Sequence, residues 1–190
     1  LQCTLSVVWK GDSSRMDLKE KIRVIPDFPQ PGISFKDITT LLRDGEALRE
    51  AVQRMARHYA GAGIDMVVGV ESRGFILGAP LAYEMGLGFT LIRKPGKLPG
   101  DVLSVEYDLE YGTDRLEIHA DSFPPGTRVL IVDDLLATGG TIAAAMELVN
   151  KLGGQVVGLA FLIELSYLGG RKKLEELGDY DILALVDYKE

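Results

Sequence analysis

Two adjacent aspartates, Asp133 and Asp134, follow the apolar run Val129-Leu130-Ile131-Val132 and precede Leu135-Leu136-Ala137-Thr138-Gly139-Gly140-Thr141. The run has the character of a strand buried on both faces of a parallel sheet. Two carboxylates at its carboxyl end are placed to accept hydrogen bonds from vicinal hydroxyls. A short loop of small and hydroxyl residues follows them, and a helix opens at Thr141. Glycines let backbone amides approach a ligand closely. Amides and threonine hydroxyls at a helix N-terminus form a site for a phosphate. A diol site beside a phosphate site describes a ribose 5-phosphate. Other phosphate loops are missing: the chain has no Gly-x-x-x-x-Gly-Lys-Ser/Thr pattern and no Gly-x-Gly-x-x-Gly after a predicted strand.

Strands alternating with helices must position this motif. The spacing predicts a short helix over Asp17 to Arg23. A proline-rich stretch, Pro26 to Gly32, cannot be helical because prolines remove donors and restrict their neighbours. Asp44 is a candidate N-cap for a long helix with apolar residues at helical spacing from Ala47 to Tyr59. Met66 to Val70 reads as a buried strand, Glu71-Ser72-Arg73-Gly74 as a turn, Phe75 to Met85 as a helix and Phe89 to Arg93 as a strand. Val102 to Tyr107 and Arg115 to His119 alternate and predict an antiparallel hairpin outside the main sheet. A helix over Thr141 to Leu152, strands at Gln155 to Leu165 and Asp181 to Val186, and a helix near Gly170 to Leu177 complete the pattern. Such alternation implies parallel βαβ units, hence an α/β fold with a mainly parallel central sheet flanked by helices.

The 190 residues suit one domain, over 16–190. Leu1 to Arg15 reads as an expression scar or upstream extension before a natural start at Met16. The other reading is an N-terminal strand around Val7-Val8-Trp9. Hydrophobic residues make up 46% and charged residues 26%, the balance of a soluble globular protein. The net charge of −7 argues against a nucleic-acid surface. No apolar run approaches the ~20 residues that span a bilayer. A single cysteine, Cys3, allows no intramolecular disulfide and fits the reducing cytoplasm.

Paired acids directly before Ala-Thr-Gly-Gly-Thr resemble the phosphoribosyl pyrophosphate site of type I phosphoribosyltransferases. Four further segments are similar to the adenine phosphoribosyltransferases of that family: Pro26 to Thr39, Glu71-Ser72-Arg73-Gly74-Phe75, Ile92 to Gly100, and Leu109-Glu110-Tyr111-Gly112. They stand in the family's order and span about Ile22 to Tyr188. The resemblance implies the type I fold with a small hood, drawn from a base-binding segment at 16–43 and a mobile loop and hairpin at 94–123. It implies transfer of phosphoribose from phosphoribosyl pyrophosphate to adenine, giving AMP and pyrophosphate, with Mg²⁺ held through substrate oxygens and no direct protein ligand. A homodimer is expected on the same ground.

The resemblance also assigns roles. Ala137, Thr138, Gly139, Gly140 and Thr141 would hold the 5-phosphate. Asp133 and Asp134 would face the ribose hydroxyls and stabilise positive charge at C1. Ser72, Arg73 and Gly74 would bind pyrophosphate, joined by Lys94 and Lys97, and a cis peptide is expected between Glu71 and Ser72. Phe35 would stack on the base, with the Ser34 carbonyl and the Lys36 amide reading adenine's polar edge and Leu135 and Leu165 as apolar walls. Glu110, with Tyr111 beside it on the hood, would assist proton movement at N7. Lys36 departs from members with arginine there, and the two are not equivalent in bidentate or stacked contacts. Two other readings are a transferase for another base and a non-catalytic ligand sensor. The segment around Phe35 opposes the first, and the acidic chain without a nucleic-acid module opposes the second.

Overall fold

The structure, a computed structural model, describes residues 16–108 and 112–190. Its elements in chain order are β1 (Arg23–Ile25), β2 (Phe35–Asp37), α1 (Thr39–Leu42), α2 (Gly45–His58), β3 (Met66–Val70), α3 (Arg73–Met85), β4 (Gly88–Ile92), β5 (Val102–Asp108), β6 (Thr113–His119), β7 (Arg128–Leu136), α4 (Gly140–Lys151), β8 (Gln155–Leu165), α5 (Gly170–Glu175) and β9 (Asp181–Tyr188). The main sheet is five-stranded and parallel, in the order β4-β3-β7-β8-β9. β1–β2 and β5–β6 are separate antiparallel pairs.

Binary patterning explains the layers. β7 is buried along Val129-Leu130-Ile131-Val132 because both its faces are covered. Leu130 and Val132 join the core under α2 and α3, while Val129 and Ile131 join the core under α4 and the β5–β6 hairpin. Asp44 caps α2, its carboxylate accepting from the amides of Glu46 and Ala47 at 3.1 and 3.2 Å. The chain runs from β3 outward to β4, then returns to β7 and runs the other way through β8 and β9. The order therefore reverses between β3 and β7. In open α/β sheets that switch point leaves a crevice at the carboxyl ends of the strands.

Several boundaries differ from the sequence reading. The first helix is a single 3₁₀ turn, Leu18–Lys21, capped by Asp17. Arg23 instead starts β1, which pairs Ile25 with Phe35. Strands of three residues beside prolines carry too little alternation to announce themselves. β7 does not end at the aspartates. It continues to Leu136, because the long β8 keeps pairing with it: Asp133 faces Phe161 and Leu135 faces Ile163. The hairpin lies where the alternation puts it.

Candidate active site

The crevice between β3 and β7 is a cavity of about 420 Å³. Glu71, Ser72 and Arg73 line it from the end of β3, and residues 133–142 line it from the end of β7. Ser72, Arg73, Asp133, Asp134, Leu135, Ala137, Thr138, Gly139, Gly140 and Thr141 are thus brought together.

The loop after β7 has a fixed shape. Gly139 has φ +80°, a conformation that costs a side chain energy, and its carbonyl accepts the Ala143 amide at 2.9 Å to start α4. The twelve-residue α4 presents its positive dipole end here. A second element props the loop from behind. A Cβ at Gly170, the first residue of α5, would lie 2.1 Å from the Ala137 carbonyl oxygen and 3.1 Å from the Gly139 nitrogen. Only a bare backbone fits between α5 and the loop. α5 is in turn held by Arg171, whose Nε donates to the buried Glu164 carboxylate at 3.0 Å and whose Nη1 donates to the Ile182 carbonyl at 3.0 Å. Sequence reasoning missed Gly170. A Gly-Gly pair opening a short helix gives no signal of what lies opposite it.

The two carboxylates share one end of the cavity. The Asp134 amide donates to Asp133 Oδ1 at 2.8 Å. Asp134 is only 3% exposed, and its Oδ2 lies 2.7 Å from Arg73 Nε. The Nε–H does not point along that line, so Oδ2 is held by charge and receives no directed hydrogen bond. Burial, with the charge of Asp134, raises the Asp133 carboxyl well above the usual range. Burial raises Asp134 too, against the pull of Arg73. A buried carboxylate oxygen without a donor is unusual in a folded protein. Asp134 lines the cavity, and its Oδ2, freed of Arg73, would suit a hydroxyl donor or a hydrated hard cation. Among the described residues no three His, Cys, Asp or Glu side chains converge as a metal site.

The turn after β3 is tied to the next strand. The Glu71–Ser72 peptide is cis. Glu71 accepts from Arg93 Nε at 3.1 Å and from the Lys94 amide at 2.9 Å. Glu71 lines the cavity as well, although the resemblance gave its side chain no role. Gly74 does not line it. A Cβ there would meet the Val132 carbonyl oxygen at 2.6 Å and Asp133 Oδ1 at 3.0 Å, so glycine lets α3 close against β7. Lys94 and Lys97 also stand outside the cavity lining. Lys94 Nζ pairs with Asp114 at 3.0 Å, and the Lys97 carbonyl accepts from Arg93 Nη1 at 3.2 Å. Tyr107 on β5 reaches over the loop, its Oη 3.4 Å from both Thr141 Oγ1 and Asp114 Oδ2.

The base segment lies next to Arg73. Phe35 is half-buried, edge-to-face with Phe28 at 5.2 Å, and 5.7 Å from the Arg73 guanidinium. Ser34 is exposed and Lys36 buried. Leu165 is buried at the end of β8 and does not line the cavity, unlike Leu135. Glu110 and Tyr111 lie outside the described residues.

Comparison with known proteins shows the family and the fold. The phosphoribosyl transferase domain family matches residues 36–187. A protein of Clostridium perfringens named adenine phosphoribosyltransferase is 63% identical over 173 residues, covering 91% of this chain and 99% of its own. The crystal structure of adenine phosphoribosyltransferase from Thermoanaerobacter pseudethanolicus is 54% identical, with a TM-score of 0.86 over 90% of this chain and 98% of that one. The enzyme from Giardia lamblia, solved with 9-deazaadenine, is 38% identical with a TM-score of 0.87 over 94% of this chain and 100% of that one. With a parallel sheet whose order reverses at the crevice and relatives that match it almost end to end, this chain belongs to the type I phosphoribosyltransferase family, among its adenine phosphoribosyltransferases.

Proposed function

We propose that the cavity transfers the 5-phosphoribosyl group of phosphoribosyl pyrophosphate to N9 of adenine, forming AMP and pyrophosphate. The observation that carries this reading is the Asp133–Asp134 pair, set in one cavity between a backbone phosphate loop and the Arg73 turn. The loop Ala137–Thr141 would hold the 5-phosphate through amides and the hydroxyls of Thr138 and Thr141. An anion at a helix N-terminus gains ~0.3–1 kcal/mol from the dipole, so directed hydrogen bonds must supply most of the grip. Pyrophosphate would lie across the ribose, on the Ser72–Arg73 turn, with Lys94 and Lys97 approaching from the next loop.

The N9 lone pair attacks C1 as the C1–O bond breaks and its electron pair leaves on pyrophosphate. Attack on the opposite face inverts the anomeric centre. Asp133 and Asp134 stabilise the positive charge that develops at C1 more than they stabilise the neutral ground state, which is what lowers a barrier. Glu110, near N7, would assist removal of the base proton. Asp133 and Asp134 would face Mg²⁺ through water, Asp134 Oδ2 receiving no directed hydrogen bond, and the ion when bound would supply charge neutralisation to the leaving group. Phe35 would stack on the purine, and the Ser34 carbonyl and Lys36 amide would accept from and donate to adenine's 6-amine and N1. A 6-oxo base would face acceptor with acceptor, a mismatch that is rejected strongly once the bound base shields the exposed Ser34 from water.

No helix among the described residues is long and apolar enough to cross a membrane. The reading puts the enzyme in the cytoplasm as a homodimer, supported by the single cysteine and the family resemblance. Incubation with phosphoribosyl pyrophosphate, Mg²⁺ and each of adenine, guanine, hypoxanthine, xanthine and orotate tests it. AMP from adenine alone is the expected product. A nucleotide from another base, or none, would overturn it.

A further inference from the structure

Lys36 is 5% exposed, yet no carboxylate lies within ion-pair distance of it among the described residues. A buried ammonium without an acidic partner is costly, and burial lowers its pKa, with the charge of Lys19 adding to the effect. A methionine of similar length would fill the space without that penalty. The charge therefore acts on something local. Its Nζ donates to Ser34 Oγ at 2.9 Å and sits 4.5 Å from the centroid of the Tyr188 ring. Tyr188 is the last residue of β9 and is itself 7% exposed. A second ammonium, Lys19, lies 4.4 Å from the same ring and donates to the Asp187 carbonyl at 2.9 Å. Asp37 pins the other end of the segment. It accepts from the Thr39 amide and hydroxyl, both at 2.9 Å, and from Arg23 Nε at 3.0 Å, and these bonds pull its carboxyl down to about 2.

Side chains two apart along an extended chain share a face, and the residue between them points away. Lys36 and Ser34 meet on the face toward β9, which leaves Phe35 for the side nearer Arg73. We propose that Tyr188 and Lys36 form a positioning device for base recognition: the ring holds the ammonium, the ammonium fixes Ser34, and the Ser34 carbonyl and Lys36 amide are thereby kept at the spacing adenine requires. The proposal rests on the adenine-reading role given to Ser34 and Lys36 above. It makes the end of the sheet, some 150 residues away in sequence, a determinant of base affinity.

Steady-state kinetics with K36M, Y188L and Y188F test it. K36M and Y188L should raise KM for adenine about tenfold, the scale of a lost desolvated cation–π contact, while KM for phosphoribosyl pyrophosphate stays within about twofold. Y188F keeps the ring and should restore the wild-type KM for adenine. Unchanged KM for adenine in K36M overturns the device. So does an equal rise in both KM values, which general loosening of the fold would produce. If Y188L does not fold, K36M decides alone. A wild-type protein that uses another base instead of adenine would refute the underlying reading, and the same variants measured with that base would then judge the device.

Discussion

At the β7 end of the cavity, the proposed anion site is built of backbone. The loop Ala137–Thr141 is clamped between α4 and Gly170, with no room for a side chain behind it. At the β3 end, the cations proposed for pyrophosphate already have partners: Arg73 lies on Asp134 and Lys94 on Asp114. Amides fixed in a loop have nowhere else to go, whereas side-chain cations can exchange one anion for another. The first end is ready-made. The second must trade a carboxylate for a phosphate, and the trade has a use. In the proposed reaction, Arg73 turning to pyrophosphate would release Asp134 to the ribose hydroxyls and to the charge at C1. The difference assigns ground-state grip to the loop and couples leaving-group binding to activation of the aspartate.

Four variants or conditions would break or sharpen this contrast. The largest effect is expected from Asp134→Ala, which removes the carboxylate common to both ends. Its kcat/KM should fall about 10²–10³-fold, the scale of losing one preorganised electrostatic group. A variant with wild-type kcat/KM would contradict the role. Gly170→Ala comes next. Overpacking typically costs ~1–3 kcal/mol, so KM for phosphoribosyl pyrophosphate should rise about 5- to 150-fold while kcat changes little. Arg73→Gln should do less. A charged hydrogen bond is worth ~1.5–3 kcal/mol, but freeing Asp134 offsets part of that, leaving a rise of about tenfold in the same KM.

The smallest effect is in pH dependence. The carboxyls of Asp133 and Asp134 are both raised from 3.8, so the free enzyme holds protons at pH values where an ordinary aspartate has lost them. The acid limb of kcat/KM should lie above that value, with activity rising as pH increases through it. The limb belongs to the pair, so Asp133→Asn should shift it downward rather than delete it. A profile flat down to the ordinary aspartate range would contradict the raised carboxyls.

The sequence announced the parts of this site that are local. Apolar periodicity located β3, β7, β8 and the long α2, and the Asp133-to-Thr141 run, read as a sugar phosphate site, lines one cavity. Long-range packing left no such mark. Gly170 matters only because Ala137 lies against it, and Gly74 only because β7 does. The pairing of Arg73 with Asp134 joins residues 61 positions apart, and nothing in either neighbourhood specifies it. The three-residue strands β1 and β2 were hidden for a different reason. Prolines break their pattern, and only the contact with each other makes them strands. Local chemistry was legible; the choice of partner depends on a fold that brings distant segments together.

Calorimetric titration of ribose 5-phosphate and of pyrophosphate with Mg²⁺ into G170A and R73Q tests the central claim most directly. If one end is a rigid backbone cradle and the other an exchangeable cation site, G170A weakens ribose 5-phosphate and spares pyrophosphate, and R73Q does the reverse. If each variant weakens both ligands equally, the two ends are one undifferentiated anion site and the account fails.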